Sequence, residues 1–315
     1  MLTDVILPIF FIVLLGSILR RLGRVDEKVF SRTQLYILSP ALIFAALTRH
    51  STEISILFEA LLFIAVLAVV LFSIAQITGM FLREDRVTRN AISLASMFSN
   101  SGFYGIPVCM LAFGDQGVMY AAIFVAGSST MQSTLGIYTA SAGRKSGREA
   151  LKTIFRVPML YSIVLAKLLL HLDALPPEPF MKMINLLGNS AIPLGLLLLG
   201  MQLEGIISGM LKRKQSASVS YPDRMSRKSV LQGAMAAAIK IAGGFAVAMI
   251  LVRIFEFSPV MEKVFIVEAA MPTAVNAVVF ATEFDCRPEI VTMGILISTL
   301  ASLFTITLIL NFLGA

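Results

Sequence analysis

The chain has 315 residues, 57% of them hydrophobic and 14% charged, with a mean hydropathy of +0.86 and a formal net charge of +7. A soluble domain carries about 25% charged residues, so this composition excludes a cytoplasmic enzyme, a nucleic-acid module and a secreted disulfide scaffold. The two cysteines, Cys109 and Cys286, are too few for a disulfide framework.

Apolar stretches fall at 3–20, 33–48, 57–82, 90–112, 118–140, 154–171, 180–203, 230–254, 262–282 and 289–313. They are too long and too continuous for strands, and alternation of period two is missing, so they predict ten transmembrane helices. The first stretch has its charges, Arg20, Arg21 and Arg24, after the apolar run rather than before it, which argues against a signal peptide. The longest connector, 204–228, contains Lys212, Arg213, Lys214, Arg224, Arg227 and Lys228 and reads as a flexible cytoplasmic link.

Basic residues sort by connector. Those after odd-numbered helices hold 20 Lys and Arg, and those after even-numbered helices hold 5. This bias places the odd connectors in the cytoplasm and both termini outside an inner (plasma) membrane.

The two halves echo each other. Pro8, Pro40 and Pro107 in helices 1, 2 and 4 are matched by Pro158, Pro193 and Pro272 in helices 6, 7 and 9, at separations of 150, 153 and 165 residues. Five helices per half is an odd number, so the second copy enters the membrane inverted. Repeats of this kind are the expected build of a secondary transporter. The expected boundaries are 1–140 for the first repeat, 141–153 for a cytoplasmic link and 154–315 for the second repeat.

Helix 4 contains FSNSGFYGIPV, Phe98 to Val108. Pro107 lacks an N–H and frees the carbonyl of Phe103, while Gly102 and Gly105 weaken the helix further. A freed carbonyl in hydrocarbon is tolerated only where protein or a wet cavity lines it. Asn100, Ser101 and Tyr104 add polar groups, so the segment predicts a broken helix at a binding site. Helix 9 supplies the counterpart, with Pro272 placed to free the carbonyl of Glu268 and Asn276 one turn later. A carboxyl at this depth is functional by default; the competing reading has Glu268 pairing with a cation to hold two helices together. Lys240 either faces the cavity as an anion-attracting charge or snorkels to the interface. Gln132, Asn185, Asn189 and Gln202 could line a path or bridge helices. His50 and His171 fall at helix ends far apart in sequence, and no metal, nucleotide or hydrolase motif is found, so neither a cofactor nor an enzymatic activity is expected.

With NSGFYGIPV (Asn100–Val108), LGNSAIPLGLLLLGMQL (Leu187–Leu203) and AAMPTAVNAVVFATEFD (Ala269–Asp285), the sequence resembles the auxin efflux carrier family across essentially its whole length. That family includes the plant PIN carriers and short bacterial permeases, some described as malate or malonate carriers. The resemblance implies an all-α, PIN-like fold related to bile-acid and sodium–proton carriers. It has a scaffold of helices 1, 2, 6 and 7 and a transport domain of helices 3–5 and 8–10, and helices 4 and 9 cross at their prolines. It implies a homodimer through the scaffold, carriage of a small organic anion, and coupling to protons, to sodium or to neither. Asn100 matches the family's crossover asparagine, Pro107 and Pro272 its crossover prolines, and Lys240 a basic residue of helix 8. The long hydrophilic loop of the plant carriers is missing between helices 5 and 6, which points to a bacterial-type member. The expected substrate site is therefore Asn100, Ser101, Gly102, Tyr104, Gly105, Pro107, Gln132, Pro272 and Asn276, with Glu268 and Lys240 in coupling or charge compensation. Cation–proton exchange through Glu268, and a membrane sensor borrowing the fold, are the alternatives.

Overall fold

A computed structural model describes residues 5–23, 25–49, 53–141, 158–215 and 226–314. His50, most of the expected link at 141–153, and the middle of the basic connector lie outside the described residues. Among the described residues the fold is all helical. Its helices are α1 (Leu7–Leu22), α2 (Glu27–Thr33), α3 (Ser39–Arg49), α4 (Ile54–Phe81), α5 (Arg86–Met97), α6 (Ile106–Met131) and α7 (Ile137–Ala140) in the first half. The second half supplies α8 (Pro158–His171), α9 (Glu178–Gln215), α10 (Arg227–Ala238), α11 (Gly244–Phe255), α12 (Pro259–Ala269), α13 (Asn276–Glu283) and α14 (Pro288–Phe312). Among the described residues the π-helical segments Gln34–Leu38, Gln132–Gly136 and Ile239–Gly243 join neighbouring helices without a loop, and Ser101–Gly105 runs directly into α6.

Among the described residues, six helical runs are long and apolar enough to cross a membrane: Glu27–Arg49, Ser55–Phe81, Ser101–Ala140, Glu178–Gly209, Arg227–Phe255 and Pro288–Phe312. The other expected helices correspond to segments that are short, interrupted or fused. Leu7–Leu22 and Pro158–His171 are 16 and 14 residues long, and helix 9 is divided into α12 and α13. Helices 4 and 5 are joined within α6, where Gly114 (φ 65°, ψ −151°) breaks the helical path. Gly117 then packs on the backbone carbonyl of Cys109, so the chain folds back there. An L side chain is strained at such a positive φ, and glycine is not.

Two sequence boundaries are corrected. Helix 7 does not stop at Leu203; α9 continues to Gln215 and takes up the first half of the expected loop. No proline falls in that stretch to stop the helix. The interruption of helix 4 also lies earlier than Pro107. It falls at Phe98–Asn100, while Pro107 sits in the first turn of α6, directly after the Ser101–Gly105 π-helical segment.

Packing follows from small residues and aromatic shape. A side chain at Gly16 on α1 or at Gly200 on α9 would run into the facing backbone, at Leu197 and Val13 respectively, so these two helices touch main chain to main chain. Arg20 donates to the Met201 carbonyl at 3.0 Å and pairs with Glu27, and Arg21 pairs with the buried Glu204 at 2.8 Å. Gly188 lets α9 approach the α3 backbone at Leu42, less closely than α1 and α9 approach each other, and Gln34 donates to the Ala191 carbonyl at 3.0 Å. Elsewhere Phe63, Phe124, Phe255, Phe257 and Phe265 form one aromatic cluster between α4, α6, α11 and α12.

Ion pairs gather the connectors into two sets. Lys228 meets Glu84 at 3.0 Å and Arg287 meets Asp85 at 3.7 Å, uniting three connectors that follow odd-numbered predicted helices. Asp85 also caps α5 through the Thr88 N–H at 2.8 Å, and that bond holds its carboxyl below the usual carboxylate range. Arg49 meets Asp115 at 3.7 Å and Asn185 at 2.8 Å, and Ser258 meets Tyr120 at 3.2 Å, which gathers the even set.

Candidate functional site

The two interrupted helices meet at their breaks. Ser99 and Thr273 form an isolated antiparallel bridge, with Asn100 N donating to the Pro272 carbonyl at 2.7 Å and Ala274 N to the Phe98 carbonyl at 2.8 Å. Thr273 adds two further bonds: its hydroxyl donates to the Ala95 carbonyl near the end of α5 at 2.7 Å, and its N–H to Ser298 Oγ at 3.0 Å. Backbone groups released by each break are thus taken up by the other break and by α14, the condition for irregular backbone at membrane depth.

A cavity of about 70 Å³ lies against this crossing. Its polar wall is Ser39, Ser99, Asn100, Ser101, Ser128, Ser129, Gln132 and Asn276; its apolar wall includes Leu35, Phe103, Val125, Met159, Ala274 and Val275. No described side chain in this lining carries a charge. Asn100 is 4% exposed, and its Nδ2 has no hydrogen-bond partner among the described residues. Asn276 is exposed and opens α13, at whose start the Ala277 and Val278 N–H groups donate to the Ala274 and Val275 carbonyls at 3.1 and 3.2 Å. Gln132 donates to Ser128 at 3.4 Å.

Five of the expected residues therefore meet in one place: Asn100, Ser101, Gly102, Gln132 and Asn276. Four others lie outside the lining. Tyr104 turns away and its hydroxyl accepts from Ser302 on α14 at 3.4 Å. Gly105, Pro107 and Pro272 are backbone devices of the crossing. Sequence reading did not single out Ser39, Ser128 or Ser129; the Gly-Ser-Ser-Thr run at Gly127–Thr130 was the available signal, an unusually polar turn within an apolar stretch.

Glu268 and Lys240 lie behind the crossing, both fully buried and neither lining the cavity. The snorkelling alternative for Lys240 is overturned. Its stem lies in the Ile239–Gly243 π-segment and its Nζ donates to the carbonyl of Ala269, the last residue of α12, at 2.5 Å. That carbonyl is at the negative end of a half-helix, so a cation there is favoured. The Glu268 carboxyl packs against Gly105, the residue before α6, where any side chain would collide with it. Its Oε1 accepts from Cys109 Sγ at 3.6 Å. The acid therefore stands at the positive start of one half-helix and the amine at the negative end of the other. Cys109 was not foreseen as the partner of Glu268, because contact across helices leaves no trace in local spacing.

Comparison with known proteins decides the family. The profile of the family described as membrane transport protein matches residues 1–149 and 142–310. The chain belongs to this family. It is 25% identical to a protein of Methanothermobacter thermautotrophicus named as an uncharacterized transporter, over 97% of this chain and 96% of that one. An uncharacterized transporter of Methanocaldococcus jannaschii gives 25% identity over 97% and 96% of the two chains. A Rhizobium meliloti protein, whose name assigns it provisionally to malonate transport, is 25% identical over 97% of this chain and 93% of its own. The chain is a multi-pass membrane transport protein of the auxin efflux carrier-like family, and the names of its relatives are those of transporters.

Proposed function

We propose that this protein is a secondary carrier of a small organic anion, working by alternating access at the crossing of its interrupted helices. The observation that carries the reading is the uncharged polar cavity at that crossing, with the unpartnered Asn100 amide in its wall and the start of α13 beside it. Half-helix ends directed at a midplane site are the device by which transporters hold ions without a dedicated charged cage.

In this reading the fold comprises ten spans in two inverted sets of five, 1–140 and 154–315. α1–α3, α8 and α9 form the scaffold, and the remaining helices move as the transport domain. The close α1–α9 and α3–α9 contacts support that grouping. The 20-to-5 basic bias puts the odd connectors in the cytoplasm and both termini outside the plasma membrane. Along each helix the lining residues lie toward the odd connectors, so the conformation is inward-facing. The apolar outer faces of the scaffold, with Phe11, Leu15, Val164 and Leu186 exposed, suit a bilayer and a second scaffold in a homodimer. Cation–proton exchange would have to run through Glu268, which is walled off from the cavity; this favours anion carriage, with Glu268 and Lys240 as the charge-compensating pair.

Malonate is the first substrate to test, given the Rhizobium relative's name. Purified protein in proteoliposomes is expected to take up a labelled carboxylate without ATP. A hydrogen bond to a charged group contributes about 1.5–3 kcal/mol, so Asn100→Ala should weaken binding roughly tenfold or more. Saturable binding with no flux would make the protein a receptor, and unchanged affinity in a folded Asn100→Ala protein would move the site elsewhere.

A further inference from the structure

Resting on the carrier reading of the crossover cavity, we propose that this site takes its substrate as a monoanion, so that a dicarboxylate enters only with one carboxyl protonated. The positive potential available to a ligand is small and localised. The start of α13 at Asn276 offers at most about half a unit of positive charge, with the Ala277 and Val278 N–H groups already bonded to the Ala274 and Val275 carbonyls. The buried, unpartnered Asn100 Nδ2 supplies a neutral donor in the same lining. Together they match one carboxylate. The rest of the lining would offer a second carboxylate only apolar Phe103, Val125 and Met159, serine hydroxyls and the Gln132 amide. Among the described lining residues there is no Lys, Arg or His to pair with it.

The nearest buried cation does not change this. Lys240 is fully buried, spends its amine on the Ala269 carbonyl, and is shut off from the cavity behind the crossing. A protonated carboxyl, by contrast, both donates and accepts and suits a wall of serine hydroxyls and an amide. The proton comes from solvent before binding, so the second ionisation of the ligand is linked to its affinity.

The test compares each dicarboxylate with its half-amide, a fixed copy of the singly protonated form. Malonate with malonamate, and succinate with succinamate, are titrated calorimetrically into the purified full-length protein from mildly acidic to mildly alkaline pH. The apparent Kd of the dicarboxylate is expected to rise about tenfold for each pH unit above its second ionisation. The Kd of the half-amide is expected to stay flat and to be the tighter of the two at neutral pH. A dicarboxylate that binds at least as tightly as its half-amide, with no pH dependence above its second ionisation, overturns the monoanion proposal. So does a failure of every one of these ligands to bind. Failure of the underlying carrier-site reading looks different: in folded Asn100→Ala protein all Kd values would then equal those of the wild type.

Discussion

At the scale of single residues, the pair behind the crossing makes the sharpest claim. Glu268 and Lys240 are each fully buried at the end of a half-helix, and each complements the dipole it faces. Breaking a buried charge arrangement by removing one member costs about 3–5 kcal/mol, whereas replacing both by apolar or neutral groups is often nearly neutral. Glu268→Gln and Lys240→Met are therefore each expected to lower the Tm of the detergent-purified protein. The double variant should lose clearly less than the sum of the two. Strict additivity would mean that the two groups act independently. Function separates along the same line: Glu268 lies outside the cavity, so Glu268→Gln should keep substrate affinity within about threefold while flattening the pH-gradient dependence of half-amide flux, which is free of the ligand's own titration. The groups facing Glu268 are Lys240, Cys109 and Ser101. A Gln variant with the wild-type pH profile for that ligand would leave Glu268 as a structural residue.

The sequence made this residue pair visible as an anomaly but not as a partnership. A polar or ionisable side chain in an apolar stretch stands out on composition alone, which is why Glu268, Lys240 and Asn100 are conspicuous in the sequence itself. What each touches depends on how helices far apart in the chain cross. Cys109 contacts Glu268 over a separation of 159 residues, and Thr273 bonds Ala95 over 178. Tyr104 illustrates the converse: it shares the polar motif with Asn100 but lies on the opposite side of a π-turn and faces Ser302 instead.

At the scale of elements, the four π-helical segments are where residue-level and fold-level information diverge. Each carries a residue of the site or its support: Leu35, Ser101, Gln132 and Lys240. Such segments are frequent at functional positions; three of the four end in glycine and each holds a polar residue, but nothing in that composition separates a π-helical turn from a polar turn of ordinary helix. The apolar stretches themselves were legible, because an extended run of apolar residues has few alternatives in a bilayer. Their ends were less so, as α9 shows. Close helix contact is the second feature of this scale. Gly16 and Gly200 let α1 and α9 touch backbone to backbone, and a side chain there overlaps main chain rather than a flexible side-chain tip. Overpacking costs about 1–3 kcal/mol even where neighbours can shift, so Gly16→Val and Gly200→Val should each lower Tm by several degrees. Gly209, with open space around it, is the control. Equal Tm values for all three valine variants would dismiss the close contact as a stabilising feature.

At the scale of the whole molecule, the placement of ion pairs bears on movement. In the proposed two-body division, Lys228–Glu84 and Arg287–Asp85 each lie within the transport domain, and Arg21–Glu204 lies within the scaffold. Arg49–Asp115 is different: it joins α3 of the scaffold to the Gly114 turn of the transport domain, at the end away from the cavity's odd-connector side, while Arg49 also holds Asn185 of α9. An outward-opening motion has to separate it. Both side chains are partly exposed, so the pair contributes about 0.2–1 kcal/mol. Asp115→Asn should therefore shift the inward–outward balance by less than tenfold. A covalent link is the stronger test. Arg49→Cys with Asp115→Cys, joined by a bifunctional maleimide, is expected to abolish flux while leaving equilibrium substrate binding from the cavity side intact. The native thiols do not compete: Cys109 and Cys286 are both buried, and burial with the neighbouring carboxylates pushes the Cys286 thiol up to about 11, so little thiolate forms near neutral pH. Flux that persists in the fully cross-linked protein would mean that this end stays closed throughout the cycle, and the two bodies would then have to be redrawn with α3 and the Gly114 turn on the same side of the moving boundary.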